Sequence, residues 1–381
     1  MARIKLRGMT WGHRRAIDPL LATKALFEKQ HPEIEIEWSS RPLHGFEFTP
    51  VPDLAQEYDL IVLDHPFCGE IAATRCLLPV DDVIAATGGD RYVGPSLASY
   101  TYAGACWAVP IDAAAQVAVS RPDLLQALDR PAPHDWAGLI ALGETAARKG
   151  LKLAIGLRGV HSLMTFFTLC ANLGKPCSTD PDQPLADRDT ARAALDHIRA
   201  LLAFCPQESL DWNSIELHDM MVARDDLVTC PAVYCYATYA ESDQRKPLRF
   251  HDMPGPNGPM GSTIGGTGLG LSAYRGAGEA AFAYARFAAS AEVQHLFAEH
   301  HGQPARRETW TDLAIDERFG RCYSATLATM EGCWTRPRFP GYLGFQAKAG
   351  GLIEQHLRGA MDEAVLLDRL QMAFEASGRT R

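Results

Sequence analysis

The chain has 381 residues, 47% of them hydrophobic and 22% charged, with a formal net charge of −9. That length suits two lobes better than one core. The scattered acidic residues, against basic pairs no larger than Arg14-Arg15 and Arg306-Arg307, exclude a nucleic-acid partner, whose phosphates demand clustered Lys and Arg.

Along the chain, RIKLRGMT (3–10) predicts a first strand and WGHRR a loop. DPLLATKALFEKQHP predicts a helix with Asp18 as its N-cap and Pro19 at the first helical position. EIEIEWSS alternates as a strand does. YDLIVLDHPF is a short apolar run with polar residues at its end, the pattern of a buried parallel strand. Strand and helix therefore alternate in the first third, which implies an α/β lobe on a parallel sheet.

GACWAVPIDAAAQVAVS (104–120) is a long extended stretch of small residues, interrupted by Pro110 and suited to crossing between lobes. PHDWAGLIALGETAARKG then predicts a helix, LKLAIGL a strand, and HSLMTFFTLCANLG an apolar helix stopped by Gly174. After the loop TDPDQPLADRD comes the helix TARAALDHIRALLAFC, with DLVTCPAVYCYATYA and PLRFHDMP as strands and PGPNGPMG (254–261) as a loop. GEAAFAYARFAASAEVQHLFAEHHG (278–302) reads as a helix pair broken near Ala289-Ser290, and the remainder as a mostly helical tail.

Gly268-Leu-Gly270-Leu-Ser-Ala273 fits the G-x-G-x-x-A form of a dinucleotide turn, but its context does not. No buried strand precedes it, no helix opens before Gly276 to Gly278, and no acidic residue stands ~20 positions on. The glycines read instead as a strand that lets backbone approach a ligand or another lobe, with a structural bulge as the rival reading. No cofactor and no metal site is expected: H-E-x-x-H, G-x-S-x-G and P-loop motifs are absent from the sequence. Its ten cysteines form no C-x-x-C and no zinc-type spacing. Several lie in apolar runs, as buried thiols do, and so many suit a reducing compartment. No run approaches the ~18 apolar residues of a membrane helix, and nothing at the N-terminus reads as a signal peptide.

The GG-x-G-L-x-x-S strand (Gly265 to Ser272), followed by the helix pair and HGQPARRETW (301–310), resembles the C-terminal half of extracellular solute-binding proteins, the sugar receptors of ABC importers. Gly302, Pro304, Ala305 and Arg306 fall as they do in those receptors, and HPEIEIEW and YDLIVLDHP match their first lobe. The resemblance implies an α/β, two-lobed, type II periplasmic-binding-protein fold, with a solute trapped in an interlobe cleft by hinge closure. Lobe 1 is expected over 1–110, lobe 2 over 111–262, a return to lobe 1 over 263–320, and a helical tail packing on the lobes over 321–381. It further implies a small polar or hydroxylated, sugar-like ligand, an ABC permease as partner, no membrane span, and a monomer. The compartment is periplasmic if a signal peptide has been removed, and cytoplasmic otherwise.

In such a fold, ligand contacts come from loops at the C-terminal ends of strands. In the first loop Trp11 offers a stacking face, and His13 and Arg14 offer groups for a carboxylate or hydroxyls. Asp64, His65 and Phe67 form the second; Asp64 and His65, adjacent on a strand end, should point to opposite faces rather than act as a dyad. The crossing stretch adds Trp107 and Asp112, and the start of the apolar helix adds His161. Tyr234 and Tyr236 stand two apart, on one strand face, and Gly265, Gly266 and Thr267 complete the ligand-binding candidates. Trp334 and Tyr342 are candidates for the cleft edge. The alternative is a cytosolic lyase, isomerase or hydrolase on the same scaffold, with His13, Asp64, His65, Asp112 and His161 as acids and bases. The thiol count and the N-terminus motivate it; the absence of a catalytic signature favours the binding protein.

Overall fold

The computed structural model describes residues 3–241 and 243–379. In chain order come β1 (Ile4–Trp11), α1 (Arg14–Gln30), β2 (Ile34–Arg41), β3 (Leu60–Leu63) and β4 (Leu77–Leu78). β5 (Val109–Ser120) is followed by α2 (Trp136–Arg148), α3 (Val160–Asn172), α4 (Arg188–Leu202) and α5 (Ser214–Ala223). Then come β6 (Thr229–Tyr234), β7 (Arg249–His251), β8 (Ile264–Ser272), α6 (Gly278–Ala289) and α7 (Ala291–Glu299). Short helices lead to α8 (Tyr342–Leu357) and α9 (Glu363–Gly378). The chain divides into two compact units, the first comprising Met1–Ala113, Gly265–Ile315 and Arg338–Pro340, the second Ala114–Ile264, Asp316–Pro337 and Gly341–Arg381. β5 and β8 each run through a boundary.

In the first unit β1 pairs in parallel with β2, from Ile4 opposite Ile34 to Trp11 opposite Arg41, and in parallel with β3. β8 adds antiparallel to β3, with Gly268 opposite Leu63. Gly8 leaves space for the ring of Trp38 on the neighbouring strand; a Cβ there would lie 2.4 Å from it. α1 begins earlier than its Asp-Pro pair suggests. His13 is the N-cap, with its Nδ1 accepting the Arg15 N–H at 3.1 Å, so Asp18 and Pro19 fall inside the helix. A side chain able to accept from the N2 amide, two residues after an extended His13, outweighs the local Asp-Pro preference.

The HGQPAR segment fastens this unit. Gln294 takes the N–H groups of Ala305 and Arg306 on its Oε1 and donates through Nε2 to the Pro110 carbonyl. Gln303 and Ala113 bond reciprocally, through the Gln303 amide to the Ala113 carbonyl and the Ala113 N–H to the Gln303 carbonyl. Arg306 caps the carbonyls of Thr87 and Gly88 and lies over Tyr92. The resemblance noted in this segment therefore has a scaffold role: it holds Val109 to Ala113 in place.

In the second unit β6 and β7 pair antiparallel with β5. LKLAIGL forms no strand: it is extended chain with one parallel bridge, Lys152 to Leu227. The strand expected through Tyr236 and beyond stops at Tyr234, because the Tyr236 carbonyl accepts the Tyr239 N–H and the chain turns into Ala237–Ala240. α3 is buried along nearly its whole length. Its Thr168 hydroxyl donates to Gln116 Oε1 at 2.6 Å and meets the Thr263 hydroxyl at 2.7 Å, while Ser262 donates to the Gln116 carbonyl. Every partner in this seam is satisfied from within, as burial requires. Asn172 at the end of α3 holds the 254–261 loop, donating to the carbonyls of Gly258 and Met260 and accepting from the Asn257 N–H. α8 packs on α3, and Phe374 of α9 meets Phe345 of α8 at 5.1 Å.

Candidate functional site

Two groups of side chains collect at strand ends, one in each unit. In the first unit β1 and β3 are parallel, so Trp11 and Asp64 leave the sheet along the same edge. Trp11 is buried against Phe46, at 5.1 Å between ring centres. Its indole N–H has no hydrogen-bond partner, nor has the buried Thr267 hydroxyl. Both residues line a small cavity, with Arg15, Asp112 and Gln303, that offers about 10 Å³ of free space, room for one water.

Asp64 caps a turn over His65–Phe67 by accepting the His65 N–H at 2.9 Å. Because the chain turns here instead of continuing as strand, the opposite-face expectation fails: Asp64 Oδ1 lies 3.1 Å from His65 Nδ1. His65 is fully buried beside Tyr100, whereas Asp64 keeps 22% of its side chain exposed. Tyr100 donates towards the carbonyls of Leu63 and Gly266, both at 3.2 Å, and so links β3 to the glycine strand. Phe67 is buried.

His13 is half-buried, and burial first, then the charges of Arg15 and Arg14, lower its pKa to about 4. It is neutral at pH 7, consistent with its acceptor role at the helix start. Arg14 meets His301 Nε2 at 2.6 Å, and His301 Nδ1 lies 2.9 Å from Asp18. Asp112 is held by Arg15 through two bonds of 2.8 and 2.6 Å, both side chains buried. Burial raises the Asp112 carboxyl above its usual range, with Arg15 opposing. Trp107 is fully buried, its N–H donated to the Tyr102 carbonyl and its face under Arg75. Gly266 has φ of 90°, and a Cβ on it would lie 2.4 Å from the Asp112 carbonyl oxygen. The glycine strand thus admits close backbone, with β5 as its neighbour at this point. Gly265 is half-buried.

In the second unit His161 stands in the first turn of α3, with Ser214 Oγ 3.4 Å from its Nδ1 and the Tyr234 ring edge-on at 6.4 Å. Burial, with Arg158 and Arg336 adding, lowers its pKa to about 4. Tyr234 is half-buried at the end of β6. Tyr236 lies past the strand and packs on His218, which stacks on Tyr239 at 4.9 Å. The pair of tyrosines therefore divides between two neighbourhoods. Trp334 packs edge-on to Phe167 and Tyr342 is fully buried. Sequence reasoning did not find Arg15, His218 or Arg336. Arg15 is 97 positions from the carboxylate it holds, and no local pattern marks such a pair.

The sequence model of the bacterial extracellular solute-binding proteins matches residues 24–308, well over half of the chain. The chain belongs to that family. Solute-binding proteins of this kind take small ligands and work with ABC permeases, and the mixed α/β architecture is that of two-lobed periplasmic binding proteins. The structure of maltose-bound MalE3 of T. maritima is similar to this solute-binding protein with a TM-score of 0.84 at 18% identity, covering 98% of this chain and 99% of the other. The GacH receptor of Streptomyces glaucescens, solved unliganded and with acarbose, reaches 0.82 at 16% identity over 100% and 99%. UgpB of Mycobacterium tuberculosis, in complex with glycerophosphocholine, reaches 0.80 at 16% identity over 99% and 98%. Comparison with curated proteins gives no match. Among the described residues no helix is long and apolar enough to cross a membrane, and no group of three or more His, Cys, Asp or Glu is placed to hold a metal.

Proposed function

We propose that this solute-binding protein captures a sugar-like, hydroxylated solute in the periplasm, as a monomer, and delivers it to an ABC permease. The observation that carries the ligand class is the likeness in fold, along the whole chain, to proteins solved with maltose and acarbose. In the first unit, Asp64 supplies an acceptor for sugar hydroxyls, with Trp11, His13 and Arg14 beside it on the same sheet edge. In the second, Tyr234 supplies a hydroxyl and an aromatic face, backed by neutral His161. A neutral imidazole and a phenol suit an uncharged polyol, which needs donors and acceptors in equal measure. Gly265, Gly266 and Thr267 provide close backbone rather than side-chain chemistry. Asp112, Phe67 and Trp107 act as support, since their polar atoms or faces are taken up within the first unit. Tyr236 supports the second unit through His218.

The test is calorimetric titration of the purified protein with maltose, acarbose and linear polyols. Saturable binding of one equivalent of a hydroxylated compound, recovered chemically unchanged, is the expected result. No heat with any member of the panel, or conversion of a member to product, overturns the reading. The enzymatic alternative draws no support from the comparisons.

A further inference from the structure

Among the described residues all ten cysteines are thiols, and most are buried. Two of them, in the second unit, stand sulfur to sulfur: Cys235 Sγ and Cys322 Sγ are 3.3 Å apart, although the residues are 87 positions apart in sequence. Both side chains are buried.

The backbone on each side is fixed. Cys235 directly follows β6, and its N–H donates to the Ala115 carbonyl at 3.1 Å. Cys322 opens the short helix Cys322–Ala325, with its N–H on the Phe319 carbonyl and its own carbonyl accepting the Thr326 hydroxyl at 2.7 Å. The flanking segments are joined independently of the sulfurs. Arg318 pairs with Glu241 at 3.4 Å, Arg249 donates to the Gly320 carbonyl, and Thr329 donates to Asp252 at 2.7 Å. The two thiols are therefore presented to each other by a frame that does not depend on them. That preorganisation favours bond formation between two cysteines, because little chain has to be rearranged.

We propose that Cys235 and Cys322 form a disulfide when the protein meets a small-molecule disulfide oxidant, tying the Asp316–Pro337 segment to the end of β6. With oxidised glutathione as oxidant, one protein thiolate attacks a glutathione sulfur and releases glutathione thiolate. The second protein thiolate then attacks the mixed disulfide and releases the other glutathione. Two protein thiols lose two electrons and two protons, and one glutathione disulfide becomes two glutathione thiols. An extracellular family meets such oxidants.

The test uses the full chain, with a Cys322→Ala variant as control. Reduced protein is held in a glutathione redox buffer with urea below the unfolding transition and kept native by far-UV circular dichroism. It is then denatured, alkylated, digested without reduction and mapped by mass spectrometry. A peptide pair linked through Cys235 and Cys322, two hydrogens lighter than the free peptides and absent after dithiothreitol, is the expected product. It should also be absent from Cys322→Ala protein. Native protein with both cysteines alkylated, or a bridge at another pair such as Cys170 and Cys177 instead, overturns the proposal.

Discussion

Arg15 and Asp112 face each other across the first unit through two parallel bonds, Nε to Oδ2 at 2.8 Å and Nη2 to Oδ1 at 2.6 Å. The pair joins the first turn of α1 to β5, next to the backbone that Gly266 admits. Breaking one side strands a buried charge, whereas replacing both removes the desolvation cost as well. Arg15→Met is therefore expected to lower unfolding free energy by about 3–5 kcal/mol, and the double variant Arg15→Met/Asp112→Leu to recover most of that loss. Urea titration of the three proteins measures it. The deficit of the single variant should shrink at acid pH, because burial already raises the Asp112 carboxyl and without Arg15 it protonates more readily. A double variant no more stable than Arg15→Met would show that a stranded Asp112 charge is not the source of the loss.

His161 sets a pH dependence. Its folded pKa is lowered to about 4 from an ordinary value of 6.5, so the unfolded chain binds a proton that the folded one refuses. Stability is fully present above the unfolded value and is lost as pH falls towards the folded one. Its share is about 1.4 kcal/mol per pH unit, or about 3 kcal/mol across the window. His161→Gln should flatten the slope of stability between pH 6.5 and 4, leaving the parts due to His13, His197 and His251, whose pKa values burial lowers likewise. Urea midpoints at half-unit intervals decide it; an unchanged slope in the variant excludes His161 as a source.

Two adjacent glycines in α8 carry opposite expectations. A Cβ on Gly350 would lie 2.5 Å from the Gly159 carbonyl oxygen at the start of α3, while one on Gly351 meets nothing within 4 Å. Gly351→Ala should stabilise by about 0.5–1 kcal/mol through helix propensity alone. Gly350→Ala should destabilise, because α8 must retreat from α3. Thermal unfolding of the two variants tests both signs, and two stabilised proteins would place α8 farther from α3 than the structure has it.

Much of the architecture was readable because it rests on local patterns. The alternation of EIEIEWSS became β2, and the break at Ala289-Ser290 became a junction where Ser290 caps α7. What was not readable depends on partners far away in sequence. Asp18-Pro19 looked like a helix start until His13 took the Arg15 N–H. LKLAIGL looked like a strand, but only Lys152 finds a bridge partner. At the candidate site, residue types were legible and roles were not. Asp112 and Trp107 both read as ligand contacts, yet Arg15 and the Tyr102 carbonyl take up their polar atoms. A strand period would put Asp64 and His65 on opposite faces, but the strand ends one residue earlier, at Leu63.

The same contrast gives a test of the site. Asp64 keeps 22% of its side chain exposed, and Tyr234 is half-buried at a strand end with its hydroxyl oxygen enclosed, whereas Trp107 is fully buried. If the first two touch the solute, Asp64→Asn and Tyr234→Phe each remove one hydrogen bond from the complex, worth about 0.5–1.5 kcal/mol, or up to roughly tenfold in affinity. Their effect on unfolding should be small, since neither change leaves a cavity. Trp107→Phe should do the reverse, lowering the thermal midpoint through lost packing and the abandoned Tyr102 carbonyl while leaving affinity within about twofold. Calorimetric affinities beside thermal midpoints for the three variants separate contact from support. Unchanged affinity in both Asp64→Asn and Tyr234→Phe would show that neither side chain touches the solute.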